Sequence, residues 1–153
     1  MAEHPTESRI VVGVDGSPDS VAALHWAMRQ AVLTGASVDA VGCWQRPQNV
    51  GYPAASHVDA DLAVPTGDDV RAAVRDAVAA TTGGAEVTVQ ARAVEGAAAA
   101  VLVQEATDAD LLVVGSRGHG ELAGMLLGSV GLHCATHAPC PVLIVHEAAG
   151  RQT

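Results

Sequence analysis

Residues 110–131 read "DLLVVGSRGHGELAGMLLGSVG". The opening run Asp110–Val114 is apolar without alternation, the pattern of a strand covered on both faces. It runs straight into Gly115, Gly118 and, ten residues on, the pair Gly128-Ser129. A helix is expected from near Ser129 to before Pro139, with a free, positive N-terminus facing the glycine loop. Glycines admit a phosphate close to the backbone, Arg117 supplies positive charge, and Ser129 supplies a hydroxyl. The same residues also suit a tight strand-to-helix turn that binds nothing.

Working outward, "RIVVGVD" (9–15) is a short strand ending at an acid, and "GSPDS" (16–20) starts a helix. Ser17 suits the N-cap, Pro18 the first helical position, and Asp19 the positive helix end. Val21, Leu24, Met28, Ala31 and Val32 recur at three- and four-residue steps and predict the buried face, with Trp26 core or half-buried. Thr34-Gly35 ends the helix, and "ASVDAVGCW" (36–44) reads as a second strand. The stretch 45–66, with Pro47, Pro53 and Pro65, is a long loop. Thr66 and Asp69 form a capping box for a helix carrying Val70, Val74 and Val78 that stops at Gly83-Gly84. "EVTVQARAV" (86–94) alternates and is placed near a sheet edge, and 97–106 is a third helix. "PVLIV" (141–145) is the last strand. Strands alternating with helices imply a doubly wound α/β fold, an open parallel sheet with helices on both faces. Right-handed crossovers set the first and fourth strands side by side at a switch in strand order.

Composition removes several functions. With 153 residues and a net charge of −9, the chain fits one domain and lacks the basic surface that nucleic acid or an anionic membrane requires. All eight basic residues are arginine. Without lysine there is no Walker A loop, no receiver-type phosphorylation site and no Schiff-base chemistry. Two tryptophans, one tyrosine and no phenylalanine speak against a stacked flavin. No apolar run spans a bilayer and no signal peptide is read at the start, so a cytoplasmic chain is expected, its three cysteines reduced.

At the switch point two strand ends meet: Asp15, able to accept from ribose hydroxyls, and the glycine loop, able to take phosphates. The pattern G-x2-G-x9-G-S, filled by Gly115, Gly118, Gly128 and Ser129, is similar to the ATP-binding signature of the universal stress protein family. The resemblance extends through "RIVVGVDGSPDS", "DADLLVVGSRGHG", "LLGSV" and "HAPCPVLIV". It implies a five-stranded parallel sheet of order 3-2-1-4-5 over residues 9–147, with flexible ends at 1–8 and 148–153. It implies ATP as ligand, with or without Mg2+. Asp15 then resembles the ribose ligand, Gly13 and Val14 line the sugar and base, and Val41 meets the adenine through its backbone. Gly115, Ser116, Arg117, Gly118, His119, Gly120, Gly128, Ser129 and Val130 resemble the phosphate-binding set. The chain departs from the pattern at Met125, where many relatives carry a base, leaving Arg117 as the basic side chain of the loop. The resemblance also implies a homodimer through the last strand, Pro141–Val145.

The resemblance implies a nucleotide-dependent regulatory module of the stress response, with at most slow ATP hydrolysis or self-phosphorylation. Two other readings stand: an ATP-using enzyme of the adenylating pyrophosphatase group, because "DGSPDS" superficially matches its loop, and a ligand-free interaction scaffold using 45–66. His133, Cys134, His137 and Cys140 allow a metal hypothesis but lack the glutamate of HExxH. Cys43 and Cys140 are expected as small core residues, His119 as an exposed loop side chain, and Trp44 beside the base pocket.

Overall fold

The computed structural model describes residues 7–47, 64–83, 86–119 and 126–147. They form β1 (Arg9–Gly13), α1 (Pro18–Thr34), β2 (Ser37–Trp44), α2 (Gly67–Thr82) and β3 (Val89–Glu95). After these come α3 (Ala98–Glu105), β4 (Leu111–Gly115), α4 (Ser129–His137) and β5 (Val142–Val145). The strands make one sheet in the order β3-β2-β1-β4-β5, parallel at every pairing. The helices follow their local signals. Ser17 caps α1 by accepting from Ser20 N–H, and Gly35 closes it in the left-handed region at φ 74°. Thr66 and Asp69 close the capping box of α2. No helix among the described residues is long and apolar enough to cross a membrane.

Alternation along the strands divides the core in two. Ile10, Val12, Val38, Ala40 and Val113 pack against α1 and α2, while Val11, Val41, Leu112 and Val114 pack against α3 and α4. One expectation on α1 is corrected. Val32 is 58% exposed, because the buried stripe runs through Ala23, Leu24, Ala27, Met28 and Ala31 and turns away before Val32. Trp26 takes the half-buried of its two expected placements, 41% exposed with the Arg29 guanidinium 4.7 Å from its ring centroid.

A charged cluster absent from the sequence reading sits on the α3 side. Asp39, in mid-β2, accepts from Arg9 Nε at 2.7 Å, and Arg92 from β3 pairs with Glu105 of α3. Arg9 also donates to the Glu105 carbonyl at 3.1 Å, so β1, β2, β3 and α3 are tied together toward one end. Partnering makes a carboxylate tolerable inside a strand.

The load on the α1 core is testable. Leu24 is fully buried, so Leu24→Ala is expected to lower unfolding stability by about 3 kcal/mol in urea denaturation. A change below about 1 kcal/mol would contradict this packing.

Candidate functional site

A cavity of about 340 Å³ opens where β1, β2 and β4 end, large enough for a small ligand. Gly13, Val14 and Asp15 border it from β1, Val41 from β2, Gly115 through His119 from β4, and Gly128, Ser129 and Val130 from the start of α4. The structure thus gathers in one place all the expected site residues that it describes. Gly120 and Met125 lie outside the described residues.

The acid after β1 and the acid in the first turn of α1 are used differently. Asp15 folds onto the first turn of α1, where its Oδ1 accepts from the Ser17 amide at 2.9 Å and from the Ser17 hydroxyl. Burial raises this carboxyl, but the Ser17 hydrogen bonds, helped by Ser20 and the charge of His119, hold it below the usual aspartate value. Its Oδ2 faces Gly118 so closely that a Cβ there would lie 2.8 Å away. Gly118 is therefore the residue that lets the loop pass over Asp15.

Asp19, four residues on, is buried and fully engaged. Its Oδ1 accepts from Glu147 N–H at 2.8 Å, and its Oδ2 from the Ser116 hydroxyl at 2.7 Å and Arg117 N–H at 3.1 Å. Burial alone would raise its pKa, yet these donors and the Arg117 guanidinium, 3.7 Å from Oδ2, bring it below the ordinary value. Gly115 makes the close approach possible, since a Cβ there would meet the Asp19 backbone at 2.8 Å.

Ser116 carries the constraint onward. Its amide donates to the Val145 carbonyl at 2.8 Å, and its own carbonyl accepts from Gly128 N–H at 2.6 Å. The loop is thereby pinched shut at Ser116 and Gly128, and every polar group of Ser116 is committed inside the protein. What faces the cavity from this side is the start of α4, which has no side-chain cap among the described residues, with Ser129 exposed there. First-turn N–H groups without a partner among those residues form a natural anion site.

The opposite wall is apolar, and part of it escaped the sequence reading. Leu102 and Ala98 of α3 face the cavity beside Val41 and Cys43. The Val41 carbonyl accepts from Val14 N–H at 2.9 Å, so this residue reaches the cavity with its sheet partner already made. Cys43 borders the space where Trp44 was expected. Trp44 lies against Gly67, where a Cβ would come within 2.9 Å of its ring. Burial, with the charges of Glu105, Cys134 and Asp15, pushes the Cys43 thiol up to about 11, leaving an inert wall. His133 and His137 stack with centroids 4.3 Å apart. Among the described residues no group of three or more His, Cys, Asp or Glu is placed to hold a metal.

The Asp19 bonds imply a pH signature. A depressed folded-state pKa contributes stability that is present above the unfolded value, near 3.8, and is lost as pH falls through the folded value. Asp19→Asn is expected to cost about 2 kcal/mol at pH 7 by urea denaturation, with the gap narrowing below about pH 4. A gap constant from pH 7 to pH 3 would contradict the role of its charge.

The sequence pattern of the universal stress protein family matches residues 7–146. The chain is similar to universal stress proteins of Mycolicibacterium smegmatis, 33% identical over 152 residues covering 95% of this chain and 50% of the relative, and of Mycobacterium tuberculosis, 33% identical over 159 residues covering 96% and 50%. It spans about half the length of these curated relatives. Among solved structures it resembles a universal stress protein in complex with cAMP (30% identity, TM-score 0.68, covering 92% of this chain and 97% of that one). It also resembles a protein of the same family from Burkholderia pseudomallei (28% identity, TM-score 0.62, covering 90% and 95%). Fold, strand order and sequence agree, and the chain belongs to the universal stress protein family.

Proposed function

We propose that the chain is an adenine-nucleotide-binding regulatory module of the stress response in the cytoplasm, with ATP as its ligand. The observation that carries this reading is the division of the cavity at the ends of β1, β2 and β4. One end is apolar, the middle offers a carboxylate oxygen outside the Ser17 hydrogen bonds, and the far end is a helix N-terminus with no side-chain cap among the described residues. Adenine would lie against Val14, Val41 and Leu102, the ribose hydroxyls would donate to Asp15 Oδ2, and the phosphates would take the start of α4, the Ser129 hydroxyl and Arg117. The cAMP complex of the 30%-identical relative supports the ligand class.

ATP would supply a charged phosphate chain, and a magnesium ion would arrive on those phosphates. The chain's own residues bind and orient. Asp15 is tied to Ser17 and Asp19 is saturated, so neither is set to activate a water for fast hydrolysis. This engagement supports the reading as a binding module over one that hydrolyses ATP quickly.

β5 has β4 as its hydrogen-bonded neighbour, and Val142, Leu143 and Ile144 are only half-buried. A second copy paired along this strand would cover the edge. Light scattering is expected to give twice the 15.4 kDa chain mass, against a monomer mass if the edge stays open.

Calorimetry with ATP and magnesium tests the site. Gly118→Glu puts its Cβ against Asp15 Oδ2, where the gap is 2.8 Å, and adds a negative charge beside the phosphates. Affinity is expected to fall by about a hundredfold or more. An unchanged affinity would place the ligand elsewhere.

A further inference from the structure

The Asp19 carboxylate lies behind the cavity wall, and its partners connect it to both halves of the phosphate end. Through Oδ2 it holds Arg117 N–H, which fixes the direction in which the chain enters the loop toward Gly118. Through the same oxygen it holds the Ser116 hydroxyl, and the Ser116 carbonyl holds Gly128 N–H, the residue that begins α4. Its Oδ1 is fastened to Glu147 N–H just beyond β5, and its backbone belongs to the first turn of α1. The carboxylate is thus located by two elements outside the loop and passes that position to the loop and to the helix start. The apolar and ribose side has anchors of its own, Asp15 on Ser17 and Val41 on Val14, and the Ser17 anchor meets the loop only at the long 3.5 Å contact of its hydroxyl with the Arg117 carbonyl.

We propose that Asp19 is a positioning residue for phosphate binding, setting the glycine loop and the α4 N-terminus at the spacing a phosphate requires while leaving the nucleoside end of the site untouched. The proposal rests on the nucleotide reading above and adds a residue that touches no ligand. Preorganised N–H donors bind an anion well only when their geometry is held before it arrives. Loss of the carboxylate frees Arg117 N–H and the Ser116 hydroxyl together, so the loop entrance and the helix start lose their common reference. It also releases the Arg117 guanidinium, 3.7 Å from Oδ2, so added free charge and lost geometry act in opposite directions on an anion.

The experiment compares AMP with adenosine, which differ only in the phosphate, by calorimetry on wild type, Asp19→Ala and Ser116→Ala. Each affinity ratio is independent of how much of a variant is folded. Asp19→Ala is expected to reduce the AMP-to-adenosine affinity ratio by about tenfold, with adenosine affinity held within about twofold. Ser116→Ala, which removes one bond and keeps the charge, is expected to lower the ratio in the same direction by a smaller factor, and it carries the test if Asp19→Ala does not fold. Equal losses for both ligands, or an unchanged ratio, would make Asp19 merely structural and overturn the proposal. A raised ratio would show that the freed Arg117 charge outweighs geometry, and would overturn it too. A wild type that binds neither ligand defeats the nucleotide reading itself, and this proposal with it.

Discussion

A single buried negative charge organises the carboxyl end of this sheet. Asp19 is 5% exposed, and three donors meet it: the amide after β5, and the hydroxyl and amide that follow β4. Each donor comes from a chain segment that has just left the sheet, where ladder bonding ends and backbone groups need new partners. One carboxylate at the start of α1 therefore stitches two strand exits to a helix, and the cavity exists because those exits are held apart in a fixed way. Removing the charge would leave buried donors unpaired, a costlier change than the loss of any one bond.

The division of labour between Asp15 and Asp19 shows how a short motif yields both architecture and chemistry. The segment Asp15–Ser20 supplies an acid with an oxygen facing the loop, a helix cap, and a buried acid without spare capacity. The N-terminal end of α4 complements it from across the cavity. A negative residue and a positive helix end facing one another suit a ligand that is a hydroxyl donor at one point and an anion at another. A nucleotide is such a ligand.

Most of the fold was legible because its signals are local. Ser17, the Thr66–Asp69 box and Gly35 act on their own helices, and the apolar runs at Val11–Val12 and Leu112–Val114 need only neighbours in sequence to be read as strands. The glycine spacing likewise announced the loop. What stayed hidden depends on distance along the chain. Asp19 looked like a helix-dipole acid, since its partners lie 97, 98 and 128 positions away. Asp39 drew no notice, although it and Arg9, Arg92 and Glu105 form one cluster. Leu102 read as one more apolar helix residue, and only the crossover of α3 brings it to the cavity wall. The misplacement of Val32 has another origin, since a stripe inferred from apolar type alone overlooked the alanines Ala23 and Ala27.

The central claim is that the cavity at the ends of β1, β2 and β4 holds an adenine nucleotide. Its most direct test is to purify the chain without added nucleotide, denature it, and identify what is released by chromatography and mass spectrometry. The account predicts an adenine nucleotide approaching one per chain, or the same uptake after incubation with ATP and magnesium. A chain that releases none and takes up none would contradict it, and would leave the glycine loop as architecture alone.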